Sequence, residues 1–596
     1  TKIIAMPSIG IGNRIGKSLR TSWTPQSLVV ENAEPTKVVM TSTKANTSLV
    51  ASDFTIAGFT VSSLSRDATN KILTLTLSTA VVYGDVLNVV LKGVSYPVTN
   101  NVAGIGFITE WVVSGDATAR TITLPLVTGY NYNCIIDWGD GSVPSTVTAF
   151  DDANRIHTYA SNGTYQVNVI GTCEGWSFNN TGDKLKITKV INWGSEGVFN
   201  GFKYLSSGFY GCTNLTVLPT GSIRASGTGV ANFSSTFRNT RIPAVPANIF
   251  DLHPNVAAAA YSATFAENTS LTSVAADIFK YGTLATTQAF YYTFFGCTAL
   301  PSIPTDLFRY NTLVSSSGFM QTFRGCSSLT AIPDDTFRYN TLVSSYGFYD
   351  CFQSSGLATV NVDIFRYNTL VSFNGFEGVF IECKMTTLPA DLFKYNTAVA
   401  ASGFIVAFEG CVLLETIQAD IFRYNVAVST SGFISAFQRC LKLQLRADMF
   451  YAAGEEATRF ISNISNFATC FYRVSFGGVQ GVAPDLWNCT FPEKLEVSTR
   501  PATVWVAGDI ITGQSSGATS EVVAWFGTWV VLVKNRVGTY TSGEIIGVTG
   551  VGNKPADQAA GYPILTSGVT KTGCFSGAGN SLTSLSNYGD IPADWK

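Results

Sequence analysis

The chain has 596 residues, with 38 basic against 40 acidic side chains and a net charge of −2. Only 13% of residues are charged, where an average domain carries ~25%, while 46% are hydrophobic and 12% aromatic. That balance excludes a disordered polyelectrolyte, which needs high charge and few aromatics, and argues against a nucleic-acid partner, which needs a Lys/Arg surplus.

Length implies several domains, because single cores stop growing near ~250–300 residues. Residues 1–23 hold Lys2, Arg14, Lys17 and Arg20, with no acid before Glu31 and glycines at 10, 12 and 16. So short and Gly-rich a segment builds no core. It is expected to be a basic anchoring arm, with Arg14, Lys17 and Arg20 as its contacts. The glycines do not make a dinucleotide loop, since the third is misplaced and no βαβ unit follows. The apolar stretch before Pro7 is too short for a cleaved leader, and no run nears the ~20 apolar residues of a spanning helix. Assembly in the cytoplasm, without a cleaved signal or membrane insertion, is the expectation.

Over residues 24–103, Leu73-Thr74-Leu75-Thr76-Leu77-Ser78 alternates as a half-buried strand does, and Gly84-Asp85 marks a turn. The stretch from Leu28 to Met40 resembles the opening strands of bacterial immunoglobulin-like surface domains, which implies a β-sandwich. Over residues 104–178, Asp137-Trp138-Gly139-Asp140-Gly141-Ser142 is followed by His157-Thr158-Tyr159 and Gly163-Thr164-Tyr165. This resembles a PKD domain, a second immunoglobulin-like sandwich. Gly139 and Gly141 suit its tight turn, whose backbone Asp140 can bond. His157 reads as structural rather than catalytic. Asp137 and Asp140 are too few for a hard cation wanting ~6–8 oxygens, so no metal is expected.

Residues 179–497 repeat every 28–29 residues. One anchor is Phe250, Phe279, Phe308, Phe337, Phe365, Phe393, Phe422 and Phe450; a second runs from Phe209 to Phe437. Phe319 and Phe323 are four apart, which predicts a helical turn with both on one face. Leu329 to Ile332 predicts a brief strand or extended rung, and Asp335 an N-cap. Three residues after the second anchor come Cys212, Thr240, Asn268, Cys297, Cys326, Ser355, Cys383, Cys411 and Cys440. A disulfide partner would not exchange with Thr, Asn or Ser, so these read as buried thiols bonding backbone at a turn. No paired Cys-x-x-Cys supports zinc. One unit cannot bury its own aromatic face, but stacked units can. The pattern resembles the BspA-like leucine-rich repeats of bacterial and phage surface proteins. It resumes at Cys574-Phe575-Ser576-Gly577 within a terminal segment, residues 561–596.

Residues 498–560 interrupt the repeat with short β-runs between Gly-rich turns, which predicts a small barrel. They resemble modules inserted in phage structural proteins. The whole is expected to be multidomain and β-rich: two N-terminal immunoglobulin-like β-sandwiches, then an α/β leucine-rich-repeat solenoid with an inserted small β-barrel.

These resemblances imply a non-enzymatic structural and binding protein on the surface of a bacteriophage particle, of tail-fibre, head-fibre or decoration type. Its arm would dock on other virion proteins, and its solenoid would meet a host cell-surface protein or glycan. No cofactor is expected, and homo-oligomer formation is left open. The alternatives are a secreted BspA-like adhesin on a bacterial surface and a glycan depolymerase. Glycosidases need two carboxyl groups ~5–10 Å apart, yet Asp277, Asp306, Asp335, Asp363, Asp391, Asp420 and Asp448 recur at one repeat position. An acid pair outside that period would be the sign of chemistry. One feature suits binding. Arg309-Tyr310, Arg338-Tyr339, Arg366-Tyr367, Lys394-Tyr395 and Arg423-Tyr424 would align into a cationic and an aromatic stripe. Against ligand contact stands the reading that Tyr packs between rungs while Arg pairs with a neighbouring Asp. Asn311, Asn340, Asn368, Asn396 and Asn425 predict a turn-satisfying ladder.

Overall fold

The computed structural model describes residues 25–31, 36–78, 87–91, 93–101, 105–256, 258–461, 465–474, 481–497, 505–526, 530–540, 545–548, 558–560, 565–567, 569–572, 574–576 and 585–596. The expected anchors Arg14, Lys17 and Arg20 and the turn at Gly84-Asp85 lie outside them. The protein is β-rich. Among the described residues no α-helix occurs, only single 3-10 turns such as Ala153–Arg155. The α part of the expected α/β solenoid is thereby corrected.

The chain divides into two compact units, one reaching residue 105 together with 195–198, the other holding the rest. The first contains β1 (Ser27–Glu31), β2 (Lys37–Thr41), β3 (Phe54–Ile56), β4 (Val61–Arg66), β5 (Ile72–Leu77), β6 (Asn88–Leu91), β7 (Val94–Pro97) and β8 (Thr99–Asn101). They form a five-stranded sheet, β4-β5-β2-β1-β8, and a three-stranded one, β3-β6-β7. The alternation seen in β5 puts Leu73, Leu75 and Leu77 inward, where they share one core with Val30, Met40, Phe54, Ile56 and Val89.

The second unit opens with β9 (Phe107–Val113), β10 (Thr121–Thr123), β11 (Tyr132–Asp137), β12 (Ser145–Val147), β13 (Ile156–Thr158), β14 (Gly163–Cys173) and β15 (Ile187–Trp193). Five of these make the sheet β12-β11-β14-β9-β15, and β10 pairs β13. The chain then passes into the repeats without a break in its core, one apolar cluster running from Phe107 to Trp595.

Most repeat backbone is neither helix nor sheet. In the rung from Ser317 to Cys326, alternate amides donate to the next rung: Ser317 to Ser345 O, Phe319 to Gly347 O, Gln321 to Tyr349 O, Phe323 to Cys351 O and Gly325 to Gln353 O, at 2.8–3.0 Å. The amides between them turn back on their own rung, Met320 to Ser317 O, Thr322 to Phe319 O and Arg324 to Gln321 O. Carbonyls of Gly318, Met320, Thr322 and Arg324 accept from the rung before. A buried backbone with no helix or sheet thus satisfies its polar groups.

Overlapping turns of this kind need a left-handed residue at every fourth position. Ser317, Gln321 and Gly325, then Tyr346, Asp350 and Ser354, then Asn374, Gly378 and Glu382 have φ between 49° and 75°. Each L-residue there costs about 1–2 kcal/mol, offset by the inter-rung bonds and by the phenylalanines between. The four-residue spacing of Phe319 and Phe323 therefore comes from the turn period and not from a helix. Asp277, Asp306, Asp335, Asp391 and Asp420 are left-handed too, at φ 59–61°. Asp tolerates that region, so the recurring aspartate marks backbone shape rather than an N-cap.

Three aromatic columns fill the core. Phe294, Phe323, Phe352 and Phe380 stack at 5.6–5.7 Å and within 9° of parallel. Phe279, Phe308, Phe337, Phe365 and Phe393 stack at 6.0–6.3 Å. Phe290, Phe319, Phe348, Phe376 and Phe404 form the third at 5.6–5.8 Å. Burying one such ring stabilises by roughly 1.5–3 kcal/mol. The glycines before Phe319, Phe348, Phe376 and Phe404 fit tight packing, since a Cβ on Gly375 would stand 2.2 Å from Val371 Cγ1. Brief parallel pairs link the opposite side in places: β16 (Ala244–Val245) with β17 (Ser273–Val274), and β18 (Thr387–Leu388) with β19 (Thr416–Ile417). Leu329 to Ile332 is an extended rung, held by bonds such as Ala358 N to Thr330 O at 3.0 Å.

Both ends of the array are covered. At the start, Trp176, Phe178 and Asn180 donate to Tyr204 O, Gly208 O and Tyr210 O, so the segment after β14 serves as the first rung. Towards the end come β20 (Ser465–Asn466), β21 (Glu493–Glu496), β22 (Ile510–Gly513), β23 (Thr519–Phe526), β24 (Val530–Val537), β25 (Ile545–Val548), β26 (Gln558–Ala560), β27 (Leu565–Ser567) and β28 (Val569–Thr570). Seven of them form the antiparallel sheet β26-β25-β22-β23-β24-β21-β27. Its order is open among the described residues, so the expected barrel is corrected to an open sheet. β28 returns to pair parallel with β20. Phe467 and Phe471 then donate to Thr570 O and Cys574 O, and Phe575 to Trp595 O.

Candidate binding face

Six successive rungs, from Lys280-Tyr281 to Arg423-Tyr424, carry a cation and a Tyr three and four residues after the recurring aspartate, which is left-handed on all of them but that of Asp363. Arg338 lies 5.7 Å from its own Tyr339 and 5.4 Å from Tyr367 of the next rung. Arg366 stands between Tyr367 and Tyr395, at 5.7 and 5.3 Å, and Lys394 between Tyr395 and Tyr424, at 6.0 and 5.3 Å. Arg309 likewise spans Tyr310 and Tyr339, and Arg423 lies over Tyr424. The two expected stripes are thus one ladder of alternating cation and ring. Four of the cations also meet the aspartate three residues earlier, as Arg338 meets Asp335 at 3.5 Å and Lys394 meets Asp391 at 3.2 Å. The bond to Asp391 holds the Lys394 ammonium above its ordinary range. The expected Arg–Asp pairing is present, but the tyrosines do not pack between rungs. Tyr281, Tyr310 and Tyr395 are 43, 38 and 41% exposed, and Tyr339, Tyr367 and Tyr424 are half-buried.

Beneath the ladder lies the asparagine column, fully buried. Asn340 Nδ2 donates to Phe308 O at 3.2 Å and Asn311 O at 2.9 Å; Asn368 repeats this on Phe337 O and Asn340 O, Asn396 on Phe365 O and Asn368 O. Two other residue types occupy the ends. His253 stands where later rungs have Asn, accepting from Val230 N at Nδ1 and bonding Ile223 O through Nε2. Burial pulls its pKa down to about 4, so it is neutral. At the far end Arg459 reaches in from a longer repeat to Phe450 O, Phe422 O and Asn425 O, and burial lowers its guanidinium to about 10.

All twelve cysteines are buried thiols. Cys297, Cys326, Cys383, Cys411 and Cys440 each donate from Sγ to the carbonyl of the preceding rung's second-anchor Phe, at 3.0–3.2 Å. Burial pushes the Cys326 thiol to about 12, so it is a weak nucleophile.

The Trp138-Gly139-Asp140 turn and His157 meet as the motif implies. His157 Nε2 lies 2.8 Å from Asp140 Oδ2, and its ring stacks on Trp138 at 4.8 Å. Ser142 N donates to Asp140 Oδ1, and Gly139 N to Asp137 Oδ1. Burial raises the Asp140 pKa, but the bonds from Ser142 and His157 outweigh it and hold the carboxyl below its usual range. Gly139 is left-handed, and a Cβ there would meet Gln166 O at 2.4 Å.

The period itself hid one cluster. Asp350 and Glu377 have no counterpart on other rungs, where Gln321, Val406 and Ser435 match the first, and Met320, Ile405 and Ile434 the second. Asp350, 7% exposed, accepts from Gln321 Nε2 at 2.8 Å and Arg324 Nη1 at 3.1 Å. Burial raises both carboxyl groups above their ordinary range.

No family model matches this chain, and no curated protein does. Among solved structures, the Toll–Spatzle complex of Drosophila is similar over 48% of this chain and 51% of that one, at 11% identity and a TM-score of 0.14. The matched region is about half of that chain, and so low a score carries no statement about fold or function.

Proposed function

We propose that the protein is a non-enzymatic structural and binding component of a bacteriophage particle surface. In this reading the first unit is an immunoglobulin-like sandwich, residues 104–178 a PKD-like one, and the repeats a leucine-rich solenoid of the BspA-like kind. The basic arm docks onto other virion proteins, and the solenoid meets a host cell-surface protein or glycan. The observation that carries the reading is the surface ladder of tyrosines and cations, renewed on six successive rungs. Stacked repeats offer extended binding surfaces, and tyrosine supplies a large contact area with a polar tip. Immunogold labelling of purified particles with an antibody to the full chain tests it. Label on the particle is the expected result. Label confined to a bacterial envelope would overturn it in favour of the secreted adhesin, and shortening of a glycan chain by the purified protein in favour of the depolymerase, whose acid pair would be Asp350 and Glu377.

A further inference from the structure

Beside the third-column phenylalanines, aromatic and charged side chains gather on four consecutive rungs. Tyr291, Tyr292 and Phe295 project from the first, Tyr346 and Tyr349 from the third, and Phe373 lies at the start of the fourth. The rings touch in pairs: Tyr291–Tyr292 at 4.2 Å, Tyr292–Phe295 at 4.9 Å and Tyr346–Phe373 at 5.3 Å. They remain half-buried, with Phe373 42% exposed. Arg324 of the second rung lies 5.9 Å over Phe295 and pairs with Asp350 at 3.1 Å. Asn374 donates to Glu377.

Two amides are incompletely satisfied. Gln321 and Asn374 are 5% and 9% exposed, and their Oε1 and Oδ1 atoms have no partner. An unpaired buried amide oxygen costs about 1–3 kcal/mol, which a hydroxyl donor would relieve. The next two rungs carry Val406 and Ser435 at the Asp350 position and Ile405 and Ile434 at the Glu377 position. The turn backbone therefore demands none of these side chains.

We infer that this patch binds a neutral, hydroxyl-rich glycan, an inference that rests on the attachment reading above and adds to the repeats a glycan site apart from the ladder. Aromatic faces suit the apolar C–H faces of sugar rings. Carboxylate and amide oxygens accept from sugar hydroxyls, and Arg324 donates to ring and hydroxyl oxygens. Asp350 is already met by Arg324, so the site offers no uncompensated cationic charge for an acidic sugar.

The full chain is run in native gels containing dextran, mannan or a soluble β-glucan, with hyaluronate as the acidic arm. At least one neutral polymer is expected to retard it. Tyr346→Ala and Phe373→Ala, both at the surface, are expected to keep the melting temperature and weaken retardation about tenfold. Lys442→Ala, an exposed side chain paired with Glu415 and outside both the patch and the ladder, is expected to be retarded as the parent is. Retardation by hyaluronate alone, or unchanged retardation of both aromatic variants, would overturn the site. Absence of retardation in every polymer would also overturn it. Attachment of the labelled chain to cells, measured in parallel, then shows whether the broader reading survives that failure.

Discussion

The tyrosine–cation ladder and the acid–aromatic patch are built on the same rungs but follow opposite rules. Along the ladder six successive rungs repeat Asp, a cation and Tyr, because a left-handed backbone position, present on all of them but that of Asp363, favours Asp, and the cation and Tyr follow in register three and four residues on. Along the patch the left-handed positions hold Ser, Gln, Tyr, Asp, Asn or Glu without preference, because the inter-rung amide bonds hold that backbone whatever the side chain. Regularity there reports architecture, and departure from it reports what a single place is for.

The contrast is sharpest where a column is all architecture. Phe337→Ala removes a ring packed 4.7 and 4.8 Å from Phe319 and Phe348. It is expected to destabilise by about 3–5 kcal/mol, read as a shifted midpoint in chemical denaturation. Survival with an unchanged midpoint would mean the columns do not carry the fold.

Acid should find the ladder's odd end next. The folded pKa of His253, about 4, lies below its ordinary 6.5. Its contribution is therefore complete above pH 6.5 and is lost as pH falls towards 4, by up to about 3 kcal/mol. His253→Asn is expected to flatten that slope in melts between pH 7 and 4, since later rungs use Asn there.

Asn368→Ala strands the carbonyls of Phe337 and Asn340, while also removing a buried Oδ1 that lacks a partner. The net loss is expected at about 1–2 kcal/mol by thermal melting. Least affected should be Tyr367→Ala, because a surface cation–ring contact is worth about 0.5–1 kcal/mol. A Tyr367→Ala cost equal to that of Phe337→Ala would place the tyrosines in the core and erase the distinction.

The period, the buried thiols and the asparagine ladder were legible in the sequence, because each repeats one residue at one spacing. The Trp138 turn was legible because Gly139, Asp140 and His157 are a local set. The missing helix was not, since turns with a left-handed residue every fourth position copy the spacing of Phe319 and Phe323 on a helix. The open order of the inserted sheet was not legible either, because short strands between glycines fit closed and open sheets alike. Asp350 and Glu377 escaped for the opposite reason: a search for repetition passes over residues that occur once.

The return of β28 to β20 also fixes when the molecule can be finished. Ser465 leaves the ribosome roughly a hundred residues before its partner Val569, which at ~5–20 residues per second is a wait of about 5–20 seconds. During that wait the growing end of the array is a bare rung, with the Phe467 and Phe471 amides unpaired and an aromatic column open. Synthesis of β28 and the residues that follow it is therefore also the step that seals the column, and a chain released before it would carry an edge ready to join another.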